Sequence, residues 1–269
     1  MITFKASMKK VIFGTCLLLV MAVGSLLAQE GPEGAPKNNQ WTFLVEPYLM
    51  FPVMNGTVGL GNLPFDVPID ASASDIFSNL KMGFMLAGEA TNGQWAVGTD
   101  VLYMNLAQDV EPGIFNKSGE ITAKQLGWET YGLYRVTPWL ELGLGGLVNS
   151  VKAGFDINRE ELIGQDKEII NYKRSGTETW FDPMIVARIK RSEVHKFIYQ
   201  FRGEIGGFGI GSDLAWQVHA YAGYRFSKLF EMTGGYRYIS LDYETGSGQD
   251  RFKYDVDTSG PVIRFGFNF

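Results

Sequence analysis

The residues equipped to do chemistry in this sequence are charged, and they recur at alternate positions. Glu89, Asp100, Glu129, Arg135, Glu141, Asp182, Arg188, Arg202, Glu204, His219, Arg225, Glu231, Arg237 and Arg264 all fall on the polar side of alternating stretches. In "LAWQVHAYAGYRFS", Trp216, Val218, Ala220, Ala222, Tyr224 and Phe226 take one face. Gln217, His219, Tyr221, Gly223 and Arg225 take the other. Folding about a tight turn at "VTP" sets Arg135 opposite Glu141, and folding about "SKL" sets Arg225 opposite Glu231. Facing rows of charge either line a path that selects ions or small solutes, or pair and fill a narrow interior, where an unpaired charge is costly. Both signs occur in similar number, so pairing is the favoured reading, with Arg225–Glu231 as part of a plug.

A second chemistry is acid–base. His219 with Asp182, Glu204 or Asp213 is the kind of set that an outer-membrane protease or lipid-modifying enzyme uses. However, no compact motif surrounds His219, no serine is placed as its nucleophile, and Arg237 should face it across a hairpin. His219 is therefore read as a polar interior residue, and no catalytic residue is assigned. His195 falls in a turn. With a single cysteine, Cys16, and two separated histidines, no metal site and no cofactor is expected. "GGFGIGSD" lacks the Lys-Ser/Thr of a phosphate loop and reads as a tight turn.

These side chains need strands to position them. Alternation recurs over about 41–51, 80–91, 94–106, 121–136, 139–153, 177–190, 196–209, 214–226, 229–243 and 252–269. Short breaks at 91–94, 136–138, 191–195 and 227–229 alternate with mostly longer polar segments at 52–79, 107–120, 154–176 and 244–251. Apolar side chains facing out, polar ones facing in, and short turns opposite long loops describe a barrel in lipid. The expected fold is all-β: a closed antiparallel transmembrane β-barrel of ten strands, or eight if the first strand or one hairpin is misread. The alternative is an exported soluble sandwich or lipocalin-like barrel, which needs its aromatic row inside. "ASASDIFSNL" is expected to form a short helix capped by Ser72 or Ser74. Trp41 and Trp95 should mark one aromatic girdle, Phe181 and Trp216 the other.

Lys5, Lys9 and Lys10 precede an uncharged run, Val11 to Ala28, in the order of a secretory signal. The expected organisation is a signal peptide at 1–28, a periplasmic linker at 29–40 and a barrel at 41–269. Removing 1–28 takes away three lysines and no acid, moving the formal net charge from −5 to −8. An acidic exported chain without a basic stripe is a poor nucleic-acid binder.

"NLKMGFMLAGEATNGQWAVGTDVLYMNL", "WFDPMIVARI" and "RGEIGGFGIGSDLAWQVHAYAGYRFS" resemble small bacterial outer-membrane barrels grouped with the outer-membrane-protein-A-like proteins. The resemblance implies a bacterial outer-membrane location and a barrel fold, and it brings no catalytic residues; the barrel is expected to be monomeric. It also implies that Phe265, Phe267 and Phe269 serve the barrel-assembly machinery as an assembly signal. Outer-membrane lipid is the other expected partner; an extracellular ligand is not specified. The expected role is non-enzymatic: envelope structure, surface interaction or limited passage of small solutes.

Overall fold

Strands in hydrocarbon must leave no edge unpaired. The computed structural model, which describes residues 40–61, 66–109, 116–163, 166–190 and 196–269, meets this by closing the sheet. The expected signal peptide and nearly all of the linker lie outside the described residues, as does His195. In chain order the elements are β1 (Thr42–Met50), β2 (Val53–Leu60), β3 (Val67–Ala71), α1 (Ala73–Ser78), β4 (Leu80–Thr91), β5 (Trp95–Asp109) and β6 (Asn116–Arg135). They continue with β7 (Leu140–Ile163), β8 (Asp166–Lys190), β9 (Phe197–Gly206), β10 (Leu214–Arg225), β11 (Phe230–Thr245) and β12 (Phe252–Asn268).

Ten strands, β1 and β4 to β12, run antiparallel around a closed ring in which β1 pairs with both β4 and β12. The remaining two extend it. β2 carries the line of β1 along the first half of β12, and β3 folds back on β2. The break falls at Phe51–Pro52, where Pro52 has no N–H to give a ladder. Gly260 lies against this break: a Cβ there would stand 2.1 Å from the Phe51 carbonyl oxygen. Ser72 caps α1, and Asp75 returns the bond, donor and acceptor exchanged as in a capping box.

The alternation sorts faces as expected. Phe43, Phe84, Val97, Leu144, Ile185, Phe201 and Phe267 point outward and are exposed, Leu144 to 70%. On β6 the outward band runs from Tyr134 to Leu126, roughly 26 Å of strand at 3.3 Å per residue. With the tilt of a barrel strand this is about 20 Å along the barrel axis, of the order of the ~25 Å apolar band of a membrane barrel. Trp95 and Tyr134 pack edge to face at 4.8 Å at one margin, and Trp216 stacks on Tyr238 at 4.8 Å near the other. This is an apolar exterior around a charged interior, the inverse of a soluble barrel.

The polar segments 52–79, 107–120 and 154–176 depart from the loop expectation: their described parts are mostly paired strand. β7 and β8 stay in register from Leu140↔Ile189 to Ile163↔Asp166. About twelve residues of each, roughly 40 Å, continue past the apolar band. Alternation fails to report these stretches because both faces of the hairpin leave lipid there, so no face selects apolar residues. By contrast, β9 and β10 end at a short turn over 207–213, where Gly207, Phe208 and Gly209 all have positive φ.

Because the ring has no free edge from which to unzip, the folded protein should resist denaturing detergent until heated. Unheated and boiled samples are expected to run at different positions on a denaturing gel; identical mobility would contradict closure.

Candidate functional site

Inward positions near the short-turn mouth carry one tier of charge. Arg188 on β8 donates to Glu89 through Nη1 and, at 3.1 Å, through Nη2, and to Glu141 through Nε at 2.7 Å. Arg135, opposite Glu141 in register, gives that carboxylate two more bonds at 3.1 and 2.9 Å. Lys190 Nζ lies 3.4 Å from Glu89 and 3.6 Å from Glu141. Tyr131 donates its hydroxyl to Glu89 at 3.0 Å. Room for the Tyr131 ring comes from Gly98: a Cβ there would stand 2.3 Å from the phenol.

A second tier lies deeper. Arg202 donates to Glu129 at 2.8 Å, and its Nε sits 2.5 Å from Glu204 as an ion pair. Gln217 gives its amide to Glu204 at 3.1 Å and accepts from Arg237 at 2.9 Å. Arg237 also reaches the Tyr48 hydroxyl at 3.0 Å and Asp100 at 3.2 Å, while Tyr48 donates to Asp100 at 2.7 Å. Arg264 bridges Glu46 at 3.1 Å and Asp100 at 3.3 Å. Two arginines also lie over tyrosine faces: Arg202 on Tyr131 at 4.4 Å, Arg264 on Tyr221 at 4.3 Å. Charged groups from β1, β5, β6, β9, β11 and β12 thus meet across the lumen. Buried ions on this scale are tolerable only because partners arrive from several strands at once.

Beyond this tier the inward positions are mostly apolar, with the buried Asn149, Asp182 and Thr258 set among them. Leu102 and Met104 follow Asp100 on β5, Met50 follows Tyr48 on β1, Leu147 and Val151 follow Gly145 on β7, and Leu241 follows Arg237 on β11. All are buried in one core cluster, which Ile76 of α1 joins. On the mouth side the tiers bound a vestibule of about 650 Å³ lined by Glu46, Glu89, Arg188, Lys190, Arg202 and Arg264, among others. The lumen is a cup with a charged floor and an apolar backing.

Register places Arg135 opposite Glu141, Arg225 opposite Glu231 and His219 opposite Arg237. Glu89, Asp100, Glu129, Arg188, Arg202, Glu204, Arg237 and Arg264 come together in the two tiers. Arg225 and Glu231 pair at 2.7 Å, yet Arg225 lines the open vestibule with 24% of its side chain exposed, so this pair stands at the mouth rather than across the lumen. Asp182 joins neither tier. It accepts from the Ser212 backbone at 2.6 Å, the Ser212 hydroxyl at 2.9 Å, Trp180 at 3.0 Å and Asn149 at 3.3 Å, pinning the 207–213 turn.

His219 is 1% exposed, with Arg202 and Arg237 as its neighbours in register on either side. Its Nδ1 contacts the Tyr221 hydroxyl at 3.2 Å, and Glu204 stands 3.8 Å from Nε2. Asp213 is exposed on the turn. Phe265 and Phe267 face outward, and the Phe269 backbone pairs with Phe43.

Sequence reasoning missed Glu46, Lys190, Tyr48 and Tyr131, and it put Gln217 and Tyr221 on the inward face without naming them as members of the network. Parity was the available signal. Glu46 and Tyr48 alternate with Val45, Pro47 and Leu49, and Tyr131 shares the parity of Glu129.

No family model and no curated protein matches the chain. Among solved structures, a FadL homologue of Pseudomonas aeruginosa is similar at 9% identity, covering 85% of this chain and 90% of its own, with a TM-score of 0.36. Ail, the attachment invasion locus protein of Yersinia pestis, is similar at 13% identity over 85% of this chain and 98% of its own, TM-score 0.33. The translocator domain of autotransporter NalP from Neisseria meningitidis gives 10%, 98% and 97%, TM-score 0.28. Similarity this distant says nothing about substrate or partner.

Replacing Arg202 with alanine strands Glu129 and Glu204 in a buried layer and should cost about 3–5 kcal/mol. Arg225→Ala, at the wet mouth, should cost about 1 kcal/mol or less. Denaturant unfolding from detergent micelles measures both; equal shifts in midpoint would contradict the two placements.

Proposed function

We propose that this protein is an integral barrel of the bacterial outer membrane that works at its outward face and does not conduct through its lumen. The carrying observation is the order of layers along the axis: an open vestibule, two tiers of mutually bonded charge, then a buried and mostly apolar core. The two tiers mix both signs and bond to one another, so they form no single-sign ring of the kind from which ion selectivity is built. The β7–β8 hairpin supports the same reading, since it carries about 40 Å of paired strand past the band that lipid covers. On this reading the short turns face the periplasm and the long hairpins face outside. The family resemblance in "RGEIGGFGIGSDLAWQVHAYAGYRFS" agrees with the location.

The role is non-enzymatic, in envelope structure or surface interaction. His219 is the residue that an acid–base mechanism would need, and it lies in the deeper tier between two arginines, outside the vestibule lining.

Reconstituted in planar bilayers, the wild-type protein is expected to show no steady conductance. Replacing Arg225 and Glu231 together with alanine should widen the mouth without opening a leak, because both tiers lie beyond that pair. A large stable wild-type conductance would overturn the reading and make the tiers a selectivity lining.

A further inference from the structure

The outward face has its own pattern where the apolar band ends. On β5 to β8 the last wholly apolar row is Val101, Trp128, Val148 and Phe181, paired in register. Next comes a mixed row of Tyr103, Leu126, Ser150 and Thr179, in which the Ser150 and Thr179 hydroxyls bond at 2.8 Å. The row after that is Asn105, Lys124, Lys152 and Thr177. Lys124 and Lys152 are directly opposed in register, and both are exposed.

Like charges directly opposite on one face of a sheet are destabilising. Neither lysine makes an ion pair or a side-chain hydrogen bond among the described residues, and their row holds no carboxylate. Along β6 and β7 the next outward carboxylates are Glu120 and Asp156, four residues on and about 13 Å away. Asp156 is already taken by Lys173 at 2.8 Å and Asn171 at 2.7 Å. The sheet therefore holds two ammonium groups side by side with no anion beside them among the described residues, at the height where lipid tails give way to headgroups.

We propose that Lys124 and Lys152 form a binding pair for the phosphate of a lipid in the outward leaflet. The lipid, rather than a free anion, is the occupant because the pair is continuous with the lipid-covered band: Trp128 lies two rows below Lys124 on the same face of β6. Acyl chains would run down the Trp128–Val148–Phe181 surface while the phosphate bridges the two ammonium groups, with the Thr177 hydroxyl and the Asn105 amide beside it. Binding removes the cross-strand repulsion, so the lipid completes the sheet surface. The inference rests on the membrane reading above.

The test titrates the purified, heat-modifiable barrel with dioctanoyl phosphatidic acid and dioctanoyl phosphatidylcholine, reading occupancy by native mass spectrometry. The wild type is expected to favour phosphatidic acid. Lys124→Gln and Lys152→Gln should each weaken that preference by about fivefold, the effect of one cation at a membrane surface. Lys173→Gln, which alters a lysine that already has its acid, should leave it unchanged. Lys124→Glu creates an opposite-charge pair with Lys152, so it should raise the unfolding temperature in neutral detergent and abolish the preference. The proposal is overturned if the double glutamine variant keeps the wild-type preference, if Lys124→Glu keeps it, or if inorganic phosphate alone occupies the pair as well as the lipid does. A protein that shows heat modifiability yet no preference for phosphatidic acid would also overturn it, while leaving the barrel reading intact.

Discussion

A sheet edge exposed to hydrocarbon has nothing to bond with, and in this chain β12 removes the edge. Its second half takes β1, from Met50↔Val262 to Leu44↔Asn268, and the ring is complete. Its first half takes β2, from Ser259↔Val53 to Phe252↔Leu60, and the same strand continues as a wall above the lipid. A single strand can serve two partners because the β1–β2 line breaks at Pro52, opposite a glycine that admits the Phe51 carbonyl. Closure then fixes the inward parity of every strand and an interior whose width is set by ten strands.

A ring of that size is slightly wider than one that side chains fill of their own accord. Long residues must span it. Arginines do this best because a guanidinium offers five donors in a flat fork, enough to serve carboxylates on several strands. Arg188 ties β8 to β4 and β7, and Arg264 ties β12 to β1 and β5. Tyrosines fill the remaining space and supply hydroxyl donors, as Tyr48 and Tyr131 do. The glycines are the complement, Gly98 beneath Tyr131 and Gly206 against Met184. Stability and closure of the lumen come from the same contacts.

Much of this was legible in the sequence. Within the band one face meets lipid and the other meets charge, so parity alone assigned Glu89, Asp100, Glu129, Arg188, Arg202, Glu204, Arg237 and Arg264 to the interior. The short turns then fixed which charges oppose each other. Tyr48 and Tyr131 escaped because a tyrosine serves equally in a girdle or a lumen. The strands over 53–60 and 154–163 escaped for a different reason: once both faces leave lipid, polar composition resembles that of a loop. The depth of each charge along the axis was not readable either. Arg225–Glu231 and Arg202–Glu129 look alike in parity, and only the stagger of ten strands puts one at the mouth and the other across the floor.

The central claim is that the charged tiers and their apolar backing separate the two ends of the lumen. Gln200 lines the vestibule, on the mouth side of those tiers. A Gln200→Cys variant in which Cys16, the sole cysteine, is replaced by serine has one thiol with which to ask the question. In vesicles with the barrel in a single orientation, a membrane-impermeant maleimide should label that thiol from the short-turn side and leave it untouched from the hairpin side. Equal labelling from both sides would mean that the lumen is open, and the account would fail.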